Sequence, residues 1–117
     1  MLLKSTPMDI SVKPLRQVDI VSVSGRIDSA TASEFDNALK GLLERGRKRI
    51  VLDYTKLDYI SSAGLRAMLS GLKAAKNGGG NVVLVNVNTR IADTLNLVGF
   101  HSLFLQFTDL VDAVDSF

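Results

Sequence analysis

Hydroxyls, carboxylates and a single histidine are the groups in this chain whose kinds and spacing could do chemistry. Ser61, Ser62, His101 and the aspartates supply the residue types of a nucleophilic triad. No Gly-x-Ser-x-Gly elbow surrounds either serine, and His101 stands among core-like apolar residues, where it reads as a partly exposed residue at the end of a helix. Gly78-Gly79-Gly80 lacks the Gly-Lys-Ser/Thr that sets an ammonium and a hydroxyl on nucleotide phosphates, so it reads as a helix stop. With no cysteine and one histidine, neither a disulfide nor a cysteine/histidine zinc site can be assembled. Asp109, Asp112 and Asp115 have the spacing of a solvated helix face rather than that of a metal site. No catalytic residue, metal or cofactor is expected.

Charge is equally uninformative about nucleic acid. The net charge of +2 comes from 14 basic and 12 acidic residues, too small a surplus to argue for a polyanionic partner. The dense basic run of Arg45, Arg47, Lys48 and Arg49 falls where a helix should end, a position at which cations complement the helix dipole. No aromatic residue interleaves with these charges to form a stacking platform for single strands.

The segment Asp58-Tyr59-Ile60-Ser61-Ser62-Ala63-Gly64-Leu65-Arg66 is different, because it puts two hydroxyls and a glycine at a helix start directly after a strand and loop. The first amides of a helix point outward unpaired and carry partial positive charge, so a phosphate on Ser62 would be tolerated there. Such a modification adds about two negative charges and three acceptor oxygens, enough to repel a partner matched to a neutral hydroxyl. Local sequence alone leaves open the plainer reading that Ser61 and Ser62 merely cap the helix.

The elements that must position this segment follow from periodicity. A length of 117 residues, 46% of them apolar and 22% charged, is that of one folded domain. The boundaries expected are a flexible N-terminus over residues 1–7 and one domain over 8–117. Ile10 and Val12, then Val18, Ile20, Val21 and Val23, predict two strands joined by a turn over Lys13–Gln17. Thr31-Ala32-Ser33-Glu34 has the form of a capping box, and Phe35, Ala38, Leu39, Leu42 and Leu43 give the stripe of a helix that Gly46 ends in a left-handed turn. Arg49–Asp53 predicts a strand, Leu65, Met68, Leu69 and Leu72 a second helix, and Val82–Val85 a central strand covered on both faces. Asn88-Thr89 should cap a third helix with Ile91, Leu95 and Val98 inward, followed by a short strand over Phe104–Phe107 and a last helix from near Thr108. The class is therefore α/β with a mixed sheet. Val82–Val85 is the longest apolar run, far below the roughly 18–20 residues of a membrane span, and residues 1–7 hold no secretory apolar stretch. A cytoplasmic location is expected.

With these residues in order, the sequence resembles the STAS family, specifically the small bacterial anti-sigma factor antagonists. The resemblance covers nearly the whole chain. It is carried by Gly25-Arg26-Ile27-Asp28 with Thr31-Ala32, by Ile50-Val51-Leu52-Asp53, by Tyr59-Ile60-Ser61-Ser62-Ala63-Gly64-Leu65, and by Leu95 through Gly99-Phe100 to Phe104. It implies a STAS-like single domain, a mixed four- to five-stranded sheet flanked by about four helices. It also implies a non-catalytic protein that reversibly binds an anti-sigma factor serine kinase, frees a sigma factor, and is switched off by phosphorylation. A serine phosphatase is the further partner implied, and a monomer the expected state. The modified serine of the family stands two places before the glycine, which here is Ser62, with Ser61 the second choice. The partner-binding residues implied are Arg26, Asp28, Ser61, Ser62, Ala63, Gly64 and Arg66; Asp28 alternatively serves only as a local turn or cap. Sporulation-type members usually carry an acidic residue where this chain has Arg26 and an aspartate where it has Ser61. Both departures make the contact face less negative and point to a different kinase. The alternative is a STAS accessory subunit of a lipid-transport ATPase, binding without phosphorylation.

Overall fold

The computed structural model describes residues 7–117, so the flexible segment expected over residues 1–7 lies outside the described residues save for the exposed Pro7. Two strands come first, β1 (Asp9–Leu15) and β2 (Val18–Ile27), paired antiparallel from Asp9↔Ser24 to Leu15↔Val18. The turn between them is only Arg16 and Gln17, shorter than the Lys13–Gln17 expected, with Arg16 in the left-handed region at φ 59°. Pro14 does not end β1, because an edge strand can hold a residue with no N–H to donate.

The rest alternates. Helix α1 (Ala32–Glu44) leads to β3 (Arg49–Asp53), β4 (Leu57–Ile60), α2 (Ser62–Asn77), β5 (Asn81–Val85), α3 (Thr89–Leu97), a single 3-10 turn at Phe100–Ser102, β6 (Gln106–Phe107) and α4 (Leu110–Asp115). The sheet order is β1-β2-β3-β5-β6, with every pair after the first parallel, as right-handed strand–helix–strand units require. A sixth strand, β4, pairs parallel with the far end of β2. No period-two pattern marks Leu57–Ile60 as a strand in the sequence. The register of β4 shifts at Gly25/Arg26, so that Gly25 pairs Leu57, Arg26 pairs Tyr59 and Ile27 pairs Ile60, leaving Asp58 as the extra residue. That bulge lets Leu57 and Ile60 both face the core three residues apart, which hides the period-two alternation of a strand.

Two apolar layers sandwich the sheet. Val21, Val23 and Ile27 of β2 and Val82 and Leu84 of β5 face a large cluster with Phe35, Leu39, Met68 and Leu72 of α1 and α2. Val18, Ile20, Val51, Val83 and Val85 face the other way, against Ala113 and Val114 of α4. β5 is thus covered on both faces, as its unbroken apolar run predicts. Val98, expected inward, is 48% exposed, because α3 ends at Leu97 and the chain reverses at Gly99 (φ 78°).

The basic run is a tie rather than a helix end. Only Arg45 caps α1; Arg47 Nε donates to the buried Asp19 carboxylate at 2.7 Å and its Nη2 to the Arg16 carbonyl at 2.9 Å, while Arg49 Nη1 donates to Gln17 at 2.8 Å. These bonds fasten the β1–β2 hairpin to the α1–β3 connection.

Candidate functional site

The head of α2 is fixed by its contact with two strands. Ser61 N donates to Ile27 O at 2.7 Å, which anchors the residue before the helix to β2. Ser61 is extended (φ −83°, ψ 171°) and its hydroxyl accepts from Gly64 N at 3.2 Å, making it the N-cap. Ser62 is the first helical residue, exposed, and its hydroxyl makes no hydrogen bond among the described residues. Gly64 is a glycine for lack of room, since a Cβ there would lie 2.7 Å from Ile27 Cγ2 and 2.8 Å from Ile60 Cγ1. The helix rests directly on β2 and β4, and any side chain would lift it. No acidic residue stands in its first turn, so within the helix only the Ser61 hydroxyl meets the positive end of the dipole.

Beside the helix head lies the loop after β2. The Asp28 carboxylate accepts from Ala30 N at 3.0 Å and Thr31 N at 2.9 Å, and Thr31 Oγ1 accepts from Asp28 N at 2.9 Å. The Thr31 hydroxyl donates to Arg26 O at 2.9 Å, with the Asp28 carboxylate as its alternative acceptor. The capping box expected from Thr31 and Glu34 is therefore not formed: the threonine is turned into the loop, and no side chain caps α1. Hydrogen bonds from the Thr31 amide and hydroxyl hold the Asp28 carboxyl below the usual range, with smaller help from Ala30 and the Arg26 charge. Asp28 thus makes the contacts of a local turn, but its carboxylate caps no amide of α1.

Arg26 is placed apart from the others. Ile27 and Ile60 touch the head of α2, so strand alternation turns their neighbours Arg26 and Tyr59 to the opposite face of the sheet. There the Arg26 guanidinium lies over the Tyr59 ring at 4.3 Å, a cation–π contact between exposed side chains worth about 0.5–1 kcal/mol. Ser61, Ser62, Ala63, Gly64 and Arg66 gather on the first turns of α2, with Asp28 in the flanking loop and Arg26 behind the sheet. Ala63 and Arg66 border a groove between α1 and α2, facing Ser29, Ser33 and Asp36. The sequence reading missed Tyr59, whose pairing with Arg26 becomes visible only once β4 is known to be a strand.

The other chemistry-bearing residues are scattered. His101 is exposed in the 3-10 turn and shares no hydrogen bond with Ser61 or Ser62 among the described residues. Asp109 caps α4 through Val111 N at 2.7 Å. Among the described residues, no three His, Cys, Asp or Glu side chains stand close enough to hold a metal ion. No helix there is long and apolar enough to cross a membrane.

Comparison with known proteins matches this arrangement to a family. BtrV of Bordetella bronchiseptica, whose name proposes anti-sigma factor antagonism, is 32% identical over 97 residues, 83% of this chain and 84% of BtrV. An anti-sigma factor antagonist from Mycobacterium paratuberculosis superposes with a TM-score of 0.86 at 23% identity, covering 98% of this chain and 97% of its own. The Bacillus cell fate determinant SpoIIAA in its phosphorylated form superposes with a TM-score of 0.74 at 14% identity, over 92% of this chain and 98% of its own. The model of the STAS domain matches residues 9–114, a span that runs from β1 into α4 and includes the head of α2: this chain belongs to the STAS domain family.

Proposed function

We propose that the chain is an anti-sigma factor antagonist that binds an anti-sigma factor serine kinase through the head of α2, so releasing a sigma factor, and that phosphorylation of Ser62 ends the binding. The observation that carries this reading is the division between the two serines. Ser61 Oγ is engaged by Gly64 N, whereas Ser62 Oγ is exposed, unengaged and set on a rigid helix seat. A kinase can take an exposed hydroxyl without breaking the helix. The names of BtrV and the Mycobacterium protein, and the phosphorylated SpoIIAA, support the same role. Transfer joins Ser62 Oγ to the γ-phosphorus of ATP and breaks that phosphorus's bond to the bridging oxygen. ADP leaves, and the hydroxyl proton passes to a base of the kinase.

Affinity capture from the native cell, followed by incubation of the captured kinase with ATP and mass spectrometry, tests the reading. The expected results are phosphate on Ser62 of the native chain, none on Ser62→Ala although that variant still binds, and at least tenfold weaker binding by Ser62→Asp. The tenfold figure corresponds to about 1.4 kcal/mol of lost contact. Recovery of a transport ATPase with no kinase, and no modification of either serine, would favour the accessory-subunit reading instead.

A further inference from the structure

The phosphoserine implied by this reading has a counter-ion within its own helix. Arg66 stands four residues after Ser62, and the helix brings positions four apart to one face with Cβ atoms about 5–6 Å apart. The structure sets Arg66 on the border of the groove between α1 and α2; because helical side chains lean toward the N-terminus, rotation of its long side chain can bring the guanidinium to a group on Ser62. Its geometry favours paired bonds to phosphate oxygens. Arg66 is exposed and makes no hydrogen bond or ion pair among the described residues. The carboxylate bordering the same groove, Asp36, is engaged by Lys40 at 2.8 Å. Arg26, which pairs with β4 just before the helix, carries its guanidinium over Tyr59 on the far side of the sheet, and Arg90 Nη1 donates to the Asp58 carbonyl at 3.5 Å.

We propose that Arg66 is the internal counter-ion of a phosphoryl group on Ser62, so that modification withdraws a cation from the contact face as well as adding an anion to it. The proposal rests on Ser62 being the modified residue. Unmodified, the face offers a neutral hydroxyl and a free guanidinium to the partner. Modified, the guanidinium turns to its own helix, and the partner loses that contact. A carboxylate at position 62 is shorter and singly charged, so it holds Arg66 less well and imitates only part of the switch.

The test uses full-length chain with phosphoserine encoded at position 62, which needs no kinase and therefore separates this proposal from the function proposed above. The second ionisation of the phosphate is followed by phosphorus NMR. An i,i+4 charge pair of about 0.2–0.5 kcal/mol lowers that ionisation by about 0.2–0.4 pH units relative to the Arg66→Gln variant. Arg66→Lys should recover part of the difference, and Lys73→Gln, on the same exposed stripe two turns on, should leave it unchanged. Equal titration of the native and Arg66→Gln chains would overturn the proposal. If the kinase never modifies Ser62 while the titration difference is present, the functional reading fails and the counter-ion stands.

Discussion

Adjacent serines at the head of α2 differ in what their hydroxyls touch, and sequence could not assign those contacts. Ser-Ser-Ala-Gly places two cap-competent residues in a row, and only the extended backbone of Ser61 and its 3.2 Å bond from Gly64 N show which one caps. Asp28 was legible as a loop residue, but its bonds to the Ala30 and Thr31 amides were not. Its lowered ionisation means that its contribution to stability is present above the unfolded carboxyl value of about 3.9 and is lost as pH falls through the folded value. Tyr54 was not legible at all, because a tyrosine just past a strand gives no sign of its depth. It is fully buried, its hydroxyl has no partner among the described residues, and burial pushes its ionisation far above the usual range. A buried hydroxyl without a partner costs about 1–3 kcal/mol. Tyr54→Phe removes that oxygen without opening a cavity, and denaturant unfolding at neutral pH should show it about 1 kcal/mol more stable than the native chain. Above about pH 10 the unfolded native chain can ionise this phenol while the folded chain cannot. Native stability should therefore fall with rising pH more steeply than that of the variant. An unchanged or lower midpoint in Tyr54→Phe would show that the hydroxyl is satisfied.

Most elements announced themselves through periodicity, and those that did not were hidden by a bulge or by distance in sequence. The stripe Phe35-Leu39-Leu42 and the run Val82–Val85 needed no tertiary information, because helix and buried strand each leave a regular apolar signature. β4 left none, since the extra Asp58 breaks its alternation. The basic run misled for another reason. Its true partner, Asp19, lies 28 residues earlier in β2, and a local reading had only the helix dipole to offer. Asp19 is 2% exposed and its carboxylate is met by Arg47, itself partly exposed. Removing the arginine leaves a buried carboxylate without a charged donor and also frees the Arg16 carbonyl. Arg47→Ala should cost roughly 2 kcal/mol, read as a lower denaturant midpoint at unchanged slope. Asp19→Asn with Arg47→Ala should recover part of the loss, because the uncompensated charge is then gone. If Arg47→Ala unfolds at the native midpoint, the tie between hairpin and α1–β3 connection contributes nothing.

At the scale of the molecule, the sheet divides two tasks between its faces. The face carrying α1 and α2 holds the large apolar cluster and the head of α2, while the opposite face is closed over Val18, Ile20, Val51, Val83 and Val85 by the short α4. Six residues are too few for a helix to hold itself, so α4 exists because it buries Ala113 and packs the partly buried Val114 against the sheet. Charge placed at Ala113, which is 0% exposed, has no partner there, and the cheaper response is for α4 to leave the sheet. That caps the cost at the burial of α4 itself, roughly 2–3 kcal/mol, or about 8–12 °C in Tm for a domain of this size. Ala113→Glu should lower Tm by that amount and bind a hydrophobic dye at the uncovered strands. The seat of α2 is made by Ile27, Ile60 and Gly64 on the other face. Below the lowered Tm, phosphorylation of Ser62 by the captured kinase should therefore proceed at the native rate. A rate that fell together with the loss of α4 would show that the two layers are coupled through the sheet, and that the head of α2 is held by the whole fold rather than by the strands beneath it.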